Sequence, residues 1–228
     1  MSEPRLDAHP ADGRTAAVAL FCHGGTVASV QPPRERALSL IRMRAVEQFV
    51  STAASGRGLT TYLLRYRVAG WNGTAADAYA DVRWGLERIR AEHGDVPIVL
   101  VGHSMGGRAA LRAGGEPQVG TVCALAPWTP PGEPVTHLRD RTVAILHGRG
   151  DRWVPAAQSA EFAVRAQEAG AHVARFTVAG GHSMLRRAQV WHTFVRDVVL
   201  AGAGLAPMRA DVADALSLPA PEGLALPL

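Results

Sequence analysis

The chain has no lysine. All 24 of its basic residues are arginine, set against 20 Asp and Glu. The sequence pI near 9.8 therefore reports permanently charged guanidinium groups, because the formal net charge is only +4. Along the chain these arginines are scattered and mixed with acids, not gathered into a stripe with interleaved aromatics, which excludes nucleic acid as the expected partner. Cysteine is almost as scarce: Cys22 and Cys123 lie in apolar, strand-like runs, where a free thiol behaves as a small buried hydrophobe. That excludes a disulfide framework and makes a reducing cytoplasm the expected compartment. No Cys/His pair has zinc spacing, and there is no Gly-rich phosphate loop or dinucleotide fingerprint, so neither metal nor cofactor is expected. No apolar run reaches the roughly 18 residues of a membrane span. Met1 to Arg14 carries Glu3, Asp7 and Asp12 without an apolar core, so no signal peptide or membrane anchor is expected.

What is present is a chain of 228 residues, 47% hydrophobic and 19% charged, enough for one globular domain. Short apolar runs alternate with amphipathic stretches. Ala16–Cys22, Leu59–Tyr66, Val96–Val101, Val119–Ala126, Thr142–His147 and His172–Val178 read as strands, most of them buried on both faces. Helical periodicity falls between them: about Ile41–Ala54; Ala78, Val82, Leu86 and Ile89 on one face; a small-residue stretch to Gly114; Phe162, Ala166 and Ala169; and Trp191, Phe194, Val195 and Val198. This alternation predicts an α/β fold with a mostly parallel sheet of about six strands and helices on both faces. Residues 1–15 are expected to be a flexible arm, 16–202 the domain, and 203–228 an Ala/Pro/Leu-rich, loosely packed tail whose alternative role is to bind a partner or cover the site. A ligand site in such a sheet lies beyond the carboxyl ends of the strands.

The sequence Gly102-His103-Ser104-Met105-Gly106 sits between a buried strand and a helix. Gly-x-Ser-x-Gly is weak in isolation, but this setting is what a nucleophile elbow requires: the serine takes strained dihedrals and only glycine fits beside it. A serine hydroxyl is too weak an acid to attack unaided, so it needs a base, and the base an orienting acid. Asp151 and His182 each follow a later strand end, where side chains from different strands converge on Ser104. Glu133 is the alternative acid, in a Pro-rich stretch that suggests an exposed turn. An oxyanion needs preset N–H donors. Met105, after the nucleophile, supplies one, and His23-Gly24-Gly25-Thr26 the other, with Gly25 the first choice and Thr26 the second. His23, His103 and His147 are read as bracing residues. Trp71 and Trp128 follow strand ends and are expected at the mouth of the site, as a substrate pocket or as covers of the sheet. Arg149 and Arg152 flank Asp151 and are candidates for a substrate carboxylate.

From Ala16 to Gly202 the chain resembles the α/β-hydrolase superfamily, through His23-Gly24-Gly25, Gly102-His103-Ser104-Met105-Gly106, His147-Gly148-Arg149-Gly150-Asp151-Arg152-Trp153-Val154-Pro155 and Gly181-His182. Family members often begin with two extra strands, for which the residues before Ala16 leave little room. Many insert a cap after the strand that follows the elbow, where this chain has only Pro127–Arg141. The resemblance is therefore to small capless members, similar to carboxylesterases and dienelactone-hydrolase-like proteins. It implies hydrolysis of a small or medium carboxylic ester, a small-molecule substrate, with Ser104, His182 and Asp151 as the catalytic triad. Thioester or perhydrolase chemistry on the same triad, and a ligand-binding module with a vestigial triad, remain the alternatives.

Overall fold

A computed structural model describes residues 3–228. Among these described residues, eight strands form one sheet in the order β1-β3-β2-β4-β5-β6-β7-β8. They are β1 (Arg5–His9), β2 (Ala17–Cys22), β3 (Leu59–Arg65), β4 (Ile98–His103), β5 (Val119–Leu125), β6 (Thr142–Gly148), β7 (His172–Val178) and β8 (Leu226–Pro227). All neighbours pair in parallel except β1, which runs antiparallel to β3. The helices are α1 (Leu38–Ala53), α2 (Asp77–His93), α3 (Met105–Arg112), α4 (Ala156–Glu168), α5 (Ala188–Gly202) and α6 (Ala210–Ser217). None is long and apolar enough to cross a membrane.

The central strands are uninterrupted apolar runs because each faces a core on both sides. In β2, Val18, Leu20 and Cys22 pack toward α2, α3 and α4, while Ala17, Ala19 and Phe21 pack toward α1 and α5. A period of two with both phases apolar is the signature of a sheet covered on both faces.

The sheet has eight strands rather than six, and both additions lie where apolar runs do not reach. The segment expected to be a flexible arm contains β1, an edge strand whose alternation is polar on one side: Asp7 pairs with Arg65 at 3.1 Å and His9 with Glu47 at 2.8 Å. Its Leu6 turns the other way, toward Gly85 of α2. The segment expected to be a loose tail docks on the opposite edge. Val212 and Ala215 of α6 are buried on one face of the sheet and Leu224 on the other, and β8 adds Leu226 beside Phe176. Between β5 and β6 there is no cap, only a loop with one helical turn at Thr136–Leu138.

Candidate active site

β4 ends at His103 and α3 begins at Met105, which leaves a single residue for the reversal. Ser104 makes it at φ 57°, ψ −118°, a conformation that costs a non-glycine residue on the order of 1–3 kcal/mol. Gly102 and Gly106 are both required: a Cβ on Gly102 would collide with the Gly106 carbonyl, and one on Gly106 with the backbone of Cys22 and His23. The strain is held because β4 lies mid-sheet and the Ser104 N–H donates to Leu125 O at 3.0 Å.

The structure brings Ser104, Asp151 and His182 together from the ends of β4, β6 and β7. Ser104 Oγ lies 2.8 Å from His182 Nε2, and His182 Nδ1 lies 2.7 Å from Asp151 Oδ2. The other carboxylate oxygen, Oδ1, accepts the N–H groups of Trp153 and Val154, each at 2.9 Å. Burial by itself would raise the Asp151 pKa; hydrogen bonds from His147, His182 and the Val154 N–H outweigh it and hold the carboxyl well below the usual carboxylate range. Asp151 is therefore an anion at neutral pH that orients His182 through Nδ1.

His147 does more than brace a loop. Its Nε2 faces two acceptors, Val154 O at 3.1 Å and Asp151 Oδ2 at 3.2 Å, which places the proton on Nε2. Its Nδ1 meets Ser159 Oγ at 2.8 Å. Arg175 of β7 closes the set, donating from Nε to Ser159 Oγ (3.0 Å), from Nη1 to Leu224 O (2.9 Å) and from Nη2 to Ala156 O (2.9 Å). A buried polar chain thus runs from the C-terminal segment to Asp151. Sequence reading missed Arg175 and Ser159; an arginine inside the apolar run His172–Val178 was the one signal available.

The remaining histidines do brace. His23 Nδ1 bonds Gly24 O at 2.7 Å, and His103 Nε2 bonds His182 O at 2.9 Å. Burial depresses both imidazoles, His23 to about 4 and His103 to about 3, so both are neutral. Glu133 is not an exposed turn residue. It is buried and paired with Arg108 at 2.6 Å and Arg112 at 2.7 Å, away from the His182 hydrogen bonds. Arg108 in turn lies 3.9 Å over the ring of Trp71 and 4.5 Å over that of Trp128. Trp71 and Trp128 meet edge to face. Trp71 is buried and Trp128 half-buried, and the Trp128 backbone N–H donates to Ser104 O at 3.1 Å.

Two backbone donors beside the elbow have no backbone acceptor among the described residues. Met105 N–H belongs to the first turn of α3, which has no intrahelical acceptor. The Thr26 N–H is spent on Ala69 O at 2.8 Å, whereas the Gly25 N–H has no acceptor among the described residues. A Cβ on Gly25 would strike Met105 and Ala69, and one on Gly24 would stand 3.3 Å from Ser104 Cβ, so this loop crosses directly over the elbow. Trp153, unassigned from sequence, stacks obliquely on His182 with ring centroids 5.7 Å apart. With Arg152, Ser183 and His182 it lines a shallow cavity of about 240 Å³.

The fold is that of the alpha/beta hydrolases, and residues 19–226 match the alpha/beta hydrolase family. The chain belongs to that family. Among solved structures it is similar to Est1E from Butyrivibrio proteoclasticus, described with ferulic acid bound (14% identity, TM-score 0.67, 88% of this chain and 96% of that one). It is also similar to the thermophilic esterase Est2 from Thermogutta terrifontis, described with propionate bound (18%, 0.65, 92% and 93%). A serine hydrolase without a lid from Xanthomonas campestris matches at 16%, TM-score 0.58, over 90% and 91%. No protein of curated function matches the sequence.

Proposed function

We propose that the protein is a serine esterase that cleaves a small or medium carboxylic ester through an acyl-enzyme. The observation that carries this reading is the unbroken hydrogen-bonded line Ser104–His182–Asp151 at 2.8 and 2.7 Å. In this reading Ser104 Oγ attacks the ester carbonyl as its proton passes to His182 Nε2. Asp151 holds the resulting imidazolium, and the N–H groups of Gly25 and Met105 receive the oxyanion. Collapse expels the alkoxide, which takes the proton from His182. Water, deprotonated by His182, then releases the acid and restores Ser104. No step calls on a metal or a redox group.

That two structural relatives are described with carboxylic acids bound, ferulic acid and propionate, supports a carboxylic acyl group without choosing its size. Trp128, half-exposed beside the Ser104 backbone, is the proposed substrate contact, with Trp71 as its buried support. The buried, free thiols of Cys22 and Cys123 fit a reducing compartment, the cytoplasm. The test is mass spectrometry after brief fluorophosphonate treatment, followed by turnover of p-nitrophenyl esters of increasing chain length. One adduct, absent from Ser104→Ala, with an optimum in chain length is expected. A folded protein that takes no adduct overturns the reading in favour of a binding module.

A further inference from the structure

Five large apolar side chains stand almost free in solvent: Val27 (65% exposed), Val30 (77%), Leu38 (64%), Trp153 (82%) and Leu185 (67%). They come from the loops after β2, β6 and β7 and from the first turn of α1, all at the carboxyl edge of the sheet. Two of these segments approach the nucleophile. A Cβ on Gly24 would lie 3.3 Å from Ser104 Cβ and 3.4 Å from Ser39 Cβ, which sets the α1 lobe on one side. Trp153 stacks on His182, which bonds Ser104, and Leu185 follows His182 by three residues, which sets a second lobe beside the nucleophile.

The same loops concentrate positive charge. Exposed Arg34, Arg36, Arg149, Arg152 and Arg186 have no ion-pair partner among the described residues; Arg14, Arg57, Arg88 and Arg139 are also exposed and unpaired, but lie far apart in sequence and outside these loops. The acids within residues 23–42, 148–155 and 179–187 are Glu35 and Asp151. Glu35 is tied to Arg65, and Asp151 is buried under His182. Leu38, Trp153 and Leu185 each lie within two residues of an unpaired arginine.

We infer that this collar docks the open site onto an anionic lipid surface, so that the ester is taken from a bilayer or micelle rather than only from solution. Apolar tips spaced singly among guanidinium groups suit an interface in which side chains enter between headgroups while arginines meet phosphates. Indole is at home at that depth. A folded acidic protein would instead need a contiguous patch of roughly 800 Å² on this side, and the five apolar residues are divided between lobes. The absence of a membrane span is no obstacle, since the contact is peripheral. The inference rests on the esterase reading for its purpose but not for its test.

The test uses Ser104→Ala, which binds without turnover, in sedimentation with phosphatidylcholine vesicles and with vesicles that also contain phosphatidylglycerol. Binding to the anionic vesicles alone, weakened by salt, is expected. In that background Arg34→Gln with Arg36→Gln should weaken it about thirtyfold, at roughly fivefold per arginine, and Leu38→Ser with Leu185→Ser should also weaken it. In the active enzyme, neither pair should alter turnover of a soluble short-chain ester. Failure to sediment with either vesicle, or unchanged binding in both double variants, overturns the inference. The first of these outcomes would leave the arginines to a protein partner. Fluorophosphonate labelling of the active enzyme reports separately on the esterase reading.

Discussion

Behind Asp151 and in front of Ser104 the same residue types obey different rules. Behind, Arg175, Ser159 and His147 are buried and their polar atoms meet one another or a backbone carbonyl. In front, Arg149, Arg152 and Trp153 are exposed, and the guanidinium groups have no acid among the described residues. A buried donor that loses its acceptor keeps its full desolvation cost; an exposed arginine that loses a neighbour turns to water. The rear of the site should therefore report in stability and kcat, and the front in recognition.

Ser104→Ala stands at the junction and should have the largest effect. Esterase kcat/KM should fall by about 10³-fold or more, while the melting temperature stays close to that of the parent, since the strained φ is kept. Loss of only a few-fold would break the proposed chemistry.

Arg175→Met attacks the rear. It takes the arginine donors from Ser159 Oγ and Leu224 O and one of two side-chain donors from Ala156 O, and urea denaturation should show a loss of about 3 kcal/mol. Stability within experimental error of the parent would mean that the buried chain is not a stabilising unit.

His147→Gln tests whether the rear reaches the chemistry. Asp151 loses one hydrogen bond and keeps His182, so kcat should drop about tenfold, the worth of one bond to a charged acceptor. KM should be unchanged. Equal change in kcat and KM would assign His147 to loop structure alone.

The buried imidazoles give the rear a pH signature. His103 and His23 are neutral in the folded protein, with pKa values lowered to about 3 and about 4, against 6.5 in an exposed imidazole. The unfolded chain takes up protons first, so their contribution is complete above 6.5 and is lost as pH falls toward 4. Urea midpoints should decline over that window, and less steeply in His103→Gln, which keeps a donor for the His182 carbonyl. The depressed Asp151 carboxyl acts in the same direction, but only below its ordinary value of 3.8.

The smallest effect belongs to the front. Arg152→Gln should leave stability within about 0.5 kcal/mol and lower kcat/KM only for esters that carry a carboxylate or phosphate. Equal loss on neutral esters, read in parallel assays, would make Arg152 structural and dissolve the contrast.

The parts legible in the sequence were those whose cause is local. Apolar runs marked the six central strands because both faces of each are buried, and Gly102 and Gly106 marked the elbow because no other residue clears the backbone there. Asp151 and His182 were legible because each follows a strand end directly. The edge strands were not: β1 is polar on one side, and β8 is two residues long and ends in proline. Glu133 was misread because a Pro-rich stretch says nothing of the two arginines that α3 turns toward it.

Residue order determined the layered sheet, the position of the strained serine and the candidates for its partners, since each depends on spacing along a strand or across one turn. Tertiary structure decided what residues distant in sequence do to one another. It set His147 on Asp151, tied the C-terminal segment to that carboxylate through Arg175, and brought unpaired arginines and exposed apolar side chains from separate loops to one edge of the sheet. Burial and charge concentration depend on distances in space, and these exist only once the sheet has brought its carboxyl ends together.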